Sequence, residues 1–313
     1  MGGYRYLYGP VPSRRLGRSL GIDLVPHKVC TYDCIYCQIG KTIKKTTERK
    51  EYVPTQEVLK EIERFLSEET FLPNYLSLSG SGEPTLHSKI GRVIRSIKKL
   101  TSIPVAVLTN GSLLFMEEVR QDLRNADVVL PSLDAVTPEV FLKVNRPLSL
   151  LSVEKVIEGL IQFRKIYEGQ IWLEILFCKG INDSEEEILR MREVVEQIEP
   201  DQIHLNTVVR PPSERWASPL NQEEMEKIRD LFGERATVIS EFDRHPVLLE
   251  KEDSKEKILK ILRRRPLSLT DLSRGMEIPK EELERTLQAL IVEKKIKKRC
   301  FESETYYEIS EDP

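Results

Sequence analysis

Short apolar runs alternating with amphipathic stretches fix what this chain can become. The runs occupy residues 20–26, 75–79, 104–109, 128–133, 171–177, 203–209 and, more weakly, 236–240. Each is short and rich in Val, Ile and Leu, as a buried strand is. Helical patterns lie between them at 55–68, 89–100, 115–124, 152–167, 184–198 and 221–232. Thr55, Ser152, Ser184 and Asn221 stand at the starts as N-cap candidates. Strand–helix alternation repeated six times requires a parallel sheet with helical crossovers. An open doubly wound sheet and a full or partial (β/α) barrel both satisfy it.

Parity inside the strands favours a barrel. Ile171, Leu173, Ile175 and Phe177 share one face, and Trp172, Glu174, Leu176 and Cys178 share the other. Ile203, Leu205 and Thr207 likewise oppose His204, Asn206 and Val208. One face suits packing on helices. The other carries a carboxylate, an amide and an imidazole, which are costly to bury unless each finds a partner. Internal hydrogen bonding or a ligand in the barrel mouth would supply one.

After Pro246 the pattern changes. Helical stretches at 254–264, 269–276 and 279–294 precede a strand pair at 296–299 and 305–309. Three short helices and a β-hairpin read as a winged-helix-like module. The expected division is a partial (β/α)6 TIM-like barrel over 1–248 and a winged-helix domain over 249–313, joined by a charged linker near 250–255.

Charge narrows the function. Lys+Arg number 48 and Asp+Glu 51, so a globally basic nucleic-acid wrapper is excluded. Residues 251–313 carry 15 basic and 14 acidic side chains. Their cations are bunched, at Arg263–Arg265 and in the run Lys294, Lys295, Lys297, Lys298, Arg299. That run suits either a solvated edge strand or nucleic-acid contact. No apolar run approaches the ~20 residues of a membrane span, and the start lacks a signal-peptide core or a myristoylation signal. The expected location is the cytoplasm, with no membrane partner.

Three of the five cysteines, Cys30, Cys34 and Cys37, lie within eight residues, while Cys178 and Cys300 stand alone. Crowded thiols in a chain with few cysteines indicate a metal or cluster site. Iron–sulfur clusters normally take four cysteines; three would leave one iron open to a small molecule. With His27 nearby, a Cys3His zinc site is the competing reading.

The Cys-x3-Cys-x2-Cys loop, with Tyr36 before its last cysteine, resembles the radical S-adenosylmethionine (SAM) superfamily. Further motifs agree: Gly80-Ser81-Gly82-Glu83-Pro84, Thr109-Asn110-Gly111 and Ser132-Leu133-Asp134 at successive strand ends. The segments 9–17 and 205–212 resemble a subgroup of Fe–S oxidoreductases related to wyosine tRNA-base synthases. The archaeal wyosine synthase carries extra N-terminal cysteines; here none precedes Cys30.

The resemblance implies that Cys30, Cys34 and Cys37 anchor a [4Fe–4S] cluster whose open iron chelates SAM. It makes Tyr36, Gly82, Glu83, Asn110, Ser132, Asp134, Glu174 and Asn206 candidate SAM contacts. Arg14, Arg15 and Arg210 are candidates for a substrate phosphate or carboxylate. The implied reaction is reductive cleavage of SAM to a 5′-deoxyadenosyl radical that abstracts hydrogen, with a flavodoxin- or ferredoxin-type electron donor. A tRNA base is the first substrate candidate; a protein, a peptide and a small metabolite are others. A metal-containing winged-helix regulator that binds nucleic acid is the alternative of a different class.

Overall fold

The computed structural model describes residues 4–68, 72–239, 254–263, 266–276, 278–302 and 304–310. The chain opens with an antiparallel hairpin of β1 (Leu7–Ser13) and β2 (Gly17–Ile22). The cysteine loop follows, its ends joined by β3 (Val29–Cys30) and β4 (Lys44–Lys45). Next come α1 (Thr55–Glu68), β5 (Tyr75–Leu78), α2 (Ile90–Leu100), β6 (Val105–Thr109), α3 (Glu117–Leu123) and β7 (Val128–Pro131). Then follow α4 (Pro138–Val144), α5 (Val153–Ile166), β8 (Gln170–Phe177), α6 (Glu185–Ile198), β9 (Gln202–Thr207), α7 (Gln222–Phe232) and β10 (Ala236–Val238).

Eight strands form one sheet in the order β1-β2-β5-β6-β7-β8-β9-β10, parallel from β2 onward. This is the partial TIM-like barrel. The turn between β1 and β2 crosses its open side: Arg14 donates to the Ile239 carbonyl just past β10 at 2.8 Å. Leu16, from the same turn, packs inside with Ala106, Val128, Leu130 and Trp172. The opposite parity, Ile171, Leu173, Ile175 and Phe177, is fully buried in the main core. Each such side chain contributes about 1.5–3 kcal/mol. The strand parity read from the sequence therefore holds within β8 and β9, while Cys178 and Val208, just past their ends, join the outer core.

The caps are local. Ser184 accepts the Glu187 N–H, and Asn221 with Glu224 completes a capping box. Thr55 is itself the first helical residue, and its N–H is taken by Glu51 at 2.8 Å.

The C-terminal residues form α8 (Ser254–Leu262), β11 (Leu267–Ser268), α9 (Leu269–Met276), α10 (Lys280–Val292), β12 (Ile296–Phe301) and β13 (Glu304–Ile309). The three strands are ordered β11-β13-β12. Ile258, Leu272, Leu283, Leu287 and Ile296 form a separate core that takes in Val11 of β1. The expected linker, the 248/249 boundary, Arg264 and Arg265 lie outside the described residues. No helix among those described is long and apolar enough to cross a membrane.

Candidate cofactor and substrate site

The cysteine loop leaves the end of β3 and lies over the carboxyl ends of the parallel strands, where βα loops build sites. Cys30, Cys34 and Cys37 are free and partly exposed. Asn110 Nδ2 donates to Cys30 Sγ and Asn145 Nδ2 to Cys34 Sγ, each at 3.5 Å. Burial pushes the Cys30 thiol up to about 12, and Glu83 adds to the rise. Cys34 is raised by burial, then by Asp134 and the other two cysteines. Burial thus disfavours the bare thiolates of Cys30 and Cys34, whereas a thiol that coordinates a metal is deprotonated. Among the described residues, no three His, Cys, Asp or Glu side chains converge on a point suited to one metal ion. Three thiols on one loop are the kind of donor set an iron–sulfur cluster takes.

The glycine–glutamate segment lies directly beneath this loop. A Cβ on Gly82 would sit 2.0 Å from the Val29 carbonyl oxygen, so no other residue fits without displacing β3. The Glu83 N–H donates to that carbonyl at 3.1 Å. The Glu83 side chain is 2% exposed. It accepts from Thr85 N and Oγ1 at 3.0 and 2.6 Å, Thr109 Oγ1 at 2.7 Å and Asn110 N at 2.8 Å. Asn110 in turn donates to Thr31 Oγ1 at 2.7 Å and accepts the Ser112 N–H at 3.0 Å. Glu83 and Asn110 thus support the cysteine loop from below, their side chains engaged by the protein, while Gly82 lets the segment approach β3.

Most other candidates meet in a cavity of about 240 Å³ beside the loop, lined by Tyr36, Cys37, Ser132, Asp134, Glu174 and Asn206. Asp134 accepts the Tyr36 hydroxyl, Asn145 Nδ2 at 2.8 Å and Leu176 N at 3.0 Å. Burial pushes its carboxyl up to about 6 against the pull of those bonds.

All three candidate arginines line the same cavity. Arg15 forms an ion pair with Glu174, and Asn206 donates to the same carboxylate at 3.1 Å. Burial opposes ionisation of Glu174; Arg15 and Asn206 outweigh it and hold the carboxyl below the usual range. Arg14 reaches Asn206 Oδ1 at 3.4 Å. Arg210 reaches Gln38, next to Cys37, at 3.4 Å.

A second, larger cleft of about 1450 Å³ lies between the cysteine loop and the C-terminal unit. Among the described residues, nine Lys or Arg side chains line it against two carboxylates, although the whole chain is net negative. Lys28, Lys41 and Arg215 come from the barrel; Arg263, Lys297, Lys298 and Arg299 come from the C-terminal unit. Of the basic run at the hairpin, Lys294 and Lys295 stay outside, and Lys295 pairs with Glu293 at 2.8 Å. Gln38 and Ile39 border both spaces.

Three residues at the site escaped the sequence reading. Asn145 joins Cys34 to Asp134 from the end of α4; its signal was a helix stop before Arg146-Pro147. Asp23, at the end of β2, accepts the Ser81 N–H at 3.1 Å and its hydroxyl, fixing the turn before Gly82. Asp271 approaches Arg210 at 3.9 Å from the C-terminal unit, a contact that no local pattern announces.

The family model described as Radical SAM superfamily matches residues 24–192, more than half of the chain. A UPF0026 protein of Methanocaldococcus jannaschii is 39% identical over 228 residues, covering 72% of this chain and 71% of that protein. A Brachyspira hyodysenteriae protein named GTPase Obg is 42% identical over 232 residues. The match covers 74% of this chain but only 34% of that protein, so this chain spans about a third of its length. Here Gly40-Lys41-Thr42 has Ile35 where a phosphate-binding P-loop needs its first glycine. A solved structure of TYW1 with a lysine-pyruvate adduct bound is 18% identical, with a TM-score of 0.53. It covers 70% of this chain and 74% of that one and shares the fold. The chain belongs to the radical SAM superfamily, and is thus an enzyme whose cofactors are a [4Fe–4S] cluster and SAM.

Proposed function

We propose that Cys30, Cys34 and Cys37 hold the cluster and that the enzyme abstracts hydrogen from a tRNA base. When reduced and bound to SAM, the cluster supplies a 5′-deoxyadenosyl radical. The chain positions the reactants and excludes water. Glu83 and Asn110 brace the cysteine loop from below. Tyr36, Ser132 and Asp134 offer hydroxyl and carboxylate groups for SAM. Glu174, Asn206, Arg14 and Arg15 form the polar wall opposite. An electron donor of flavodoxin or ferredoxin type, in the cytoplasm, would reduce the cluster.

The substrate reading is carried by the cleft. Its cations suit a phosphodiester backbone, and its border with the cavity at Gln38 and Ile39 would let one base leave its stack and enter. We read residues 249–313 as a winged-helix domain that supplies one wall of this cleft. Its helices and its β11-β13-β12 sheet support that reading.

The test is deuterium transfer. Reconstituted enzyme is mixed with SAM, dithionite and bulk tRNA carrying deuterium in its bases. Deuterium in 5′-deoxyadenosine is the expected result. Continued SAM cleavage with no deuterium transfer would reject tRNA as the substrate.

A further inference from the structure

The connection from β9 to α7 separates the two spaces. Val208, Val209 and Arg210 face the cavity, while Pro211, Pro212 and Ser213 face the cleft. The barrel holds this partition on one side, where Ser213 Oγ donates to the Cys34 and Ile35 carbonyls at 2.9 Å. The C-terminal unit holds it on the other. Tyr306 donates to the Val209 carbonyl at 3.1 Å and Arg299 to the Pro212 carbonyl at 3.0 Å, so the backbone is gripped on both sides of residue 210. Between these grips Asp271 faces the Arg210 guanidinium. Arg210 is 8% exposed and the Asp271 side chain 13%. At this burial the attraction between the two charges is screened little by water.

We propose that Asp271 is a positioning residue: acting from the C-terminal unit, it fixes Arg210 and with it the wall between the cleft and the cofactor cavity. The C-terminal unit then completes the active site as well as lining the cleft. The proposal rests on the reading above for the use of that wall, not for the placement of Arg210.

The test uses the full-length, cluster-loaded enzyme and three variants, Asp271→Asn, Asp271→Glu and Tyr306→Phe. Hydrogen exchange reports the wall over residues 208–216 and, as a control for folding, α10. Asp271→Asn is expected to speed exchange across 208–216 at least fivefold with α10 unchanged. Asp271→Glu should return it to within twofold of the parent, and Tyr306→Phe should speed the same segment about twofold to threefold. In dithionite-driven cleavage, Asp271→Asn should raise KM for SAM at least threefold with kcat within twofold, and Asp271→Glu should reverse this. Unchanged exchange at 208–216 in both Asp271→Asn and Tyr306→Phe would overturn the proposal. So would equal acceleration in α10, or a KM that does not move. None of these readouts uses tRNA, so rejection of tRNA as the substrate would leave them standing.

Discussion

The Glu83 carboxylate accepts the backbone N–H of Asn110 at 2.8 Å. That bond ties the segment after β5 to the end of β6, and the amide of the same Asn110 reaches the Cys30 sulfur. The glycine–glutamate motif therefore acts on the cysteines through a neighbouring strand end. Glu83→Gln replaces one acceptor oxygen by an NH2 group aimed at existing donors. Leaving buried donors unpaired costs about 1–3 kcal/mol. The variant should melt several degrees lower and hold less iron per chain. Unchanged melting and iron content would remove Glu83 from its bracing role.

Cys30→Ser, Cys34→Ser and Cys37→Ser should each abolish SAM cleavage and lower iron and sulfide content. The folded core should survive, because none of the three sits among the fully buried apolar residues. Cys178→Ala and Cys300→Ser should keep full iron content, since one is in the outer core and the other exposed. Analysis of iron and acid-labile sulfide checks both halves. Iron loss in Cys178→Ala alone would redraw the ligand set.

The Arg15–Glu174 pair fills the polar end of the barrel, with side chains 18% and 17% exposed. Removing one partner strands a charge and should cost about 3–5 kcal/mol, whereas replacing both by apolar residues should cost less than the sum. Urea unfolding of Arg15→Met, Glu174→Leu and the double variant measures the difference. Additive losses would mean that the two side chains act independently.

The parallel strands and most helices were legible in the sequence because each had its own period, and Ser152, Ser184 and Asn221 marked three of the helix starts. β1 was not: Gly9, Pro10 and Pro12 break its pattern, and only pairing with β2 makes it a strand. β11 is two residues long and exists through β13, and the α4 pattern was too short to stand out. At the site, the cysteines and strand-end motifs were visible because their spacing is local. That Glu83 and Asn110 engage the protein itself, and that Arg15 meets Glu174, depends on side chains brought together across strands. Asp271 and Arg210 lie in different units and meet only through the packing of the C-terminal unit on β1.

Lys297 and Lys298 should contribute to nucleic-acid affinity through charge alone. Replacing either by Ala should weaken tRNA binding and reduce the slope of log affinity against log salt by about 0.7–0.9 per lost phosphate contact. Lys294→Ala, outside the cleft, should change the slope little. Fluorescence anisotropy across a salt series gives these slopes. Equal slopes for all three variants would place the nucleic acid elsewhere.

His204 gives the fold a pH signature. It is 4% exposed, lies edge-on to Trp172 at 5.5 Å, and its Nε2 meets Gln202 Oε1 at 3.0 Å. The amide oxygen accepts, so Nε2 carries the proton and Nδ1 is bare, with no hydrogen-bond partner among the described residues. Burial pulls the imidazole from 6.5 down to about 4. The unfolded chain then binds the extra proton first, so stability falls as pH drops from about 6.5 to about 4, by on the order of 3 kcal/mol. Asp134 works oppositely. Its carboxyl is raised from 3.8 to about 6 by burial, so its contribution is lost as pH rises through that window. Because the two effects overlap, the difference between parent and His204→Gln is the useful quantity. Urea unfolding at intervals from pH 7.5 to 4 should show that difference constant above pH 7 and shifting in favour of the variant below 6.5. A difference that stays flat across the range would mean that His204 is protonated at no cost inside the barrel.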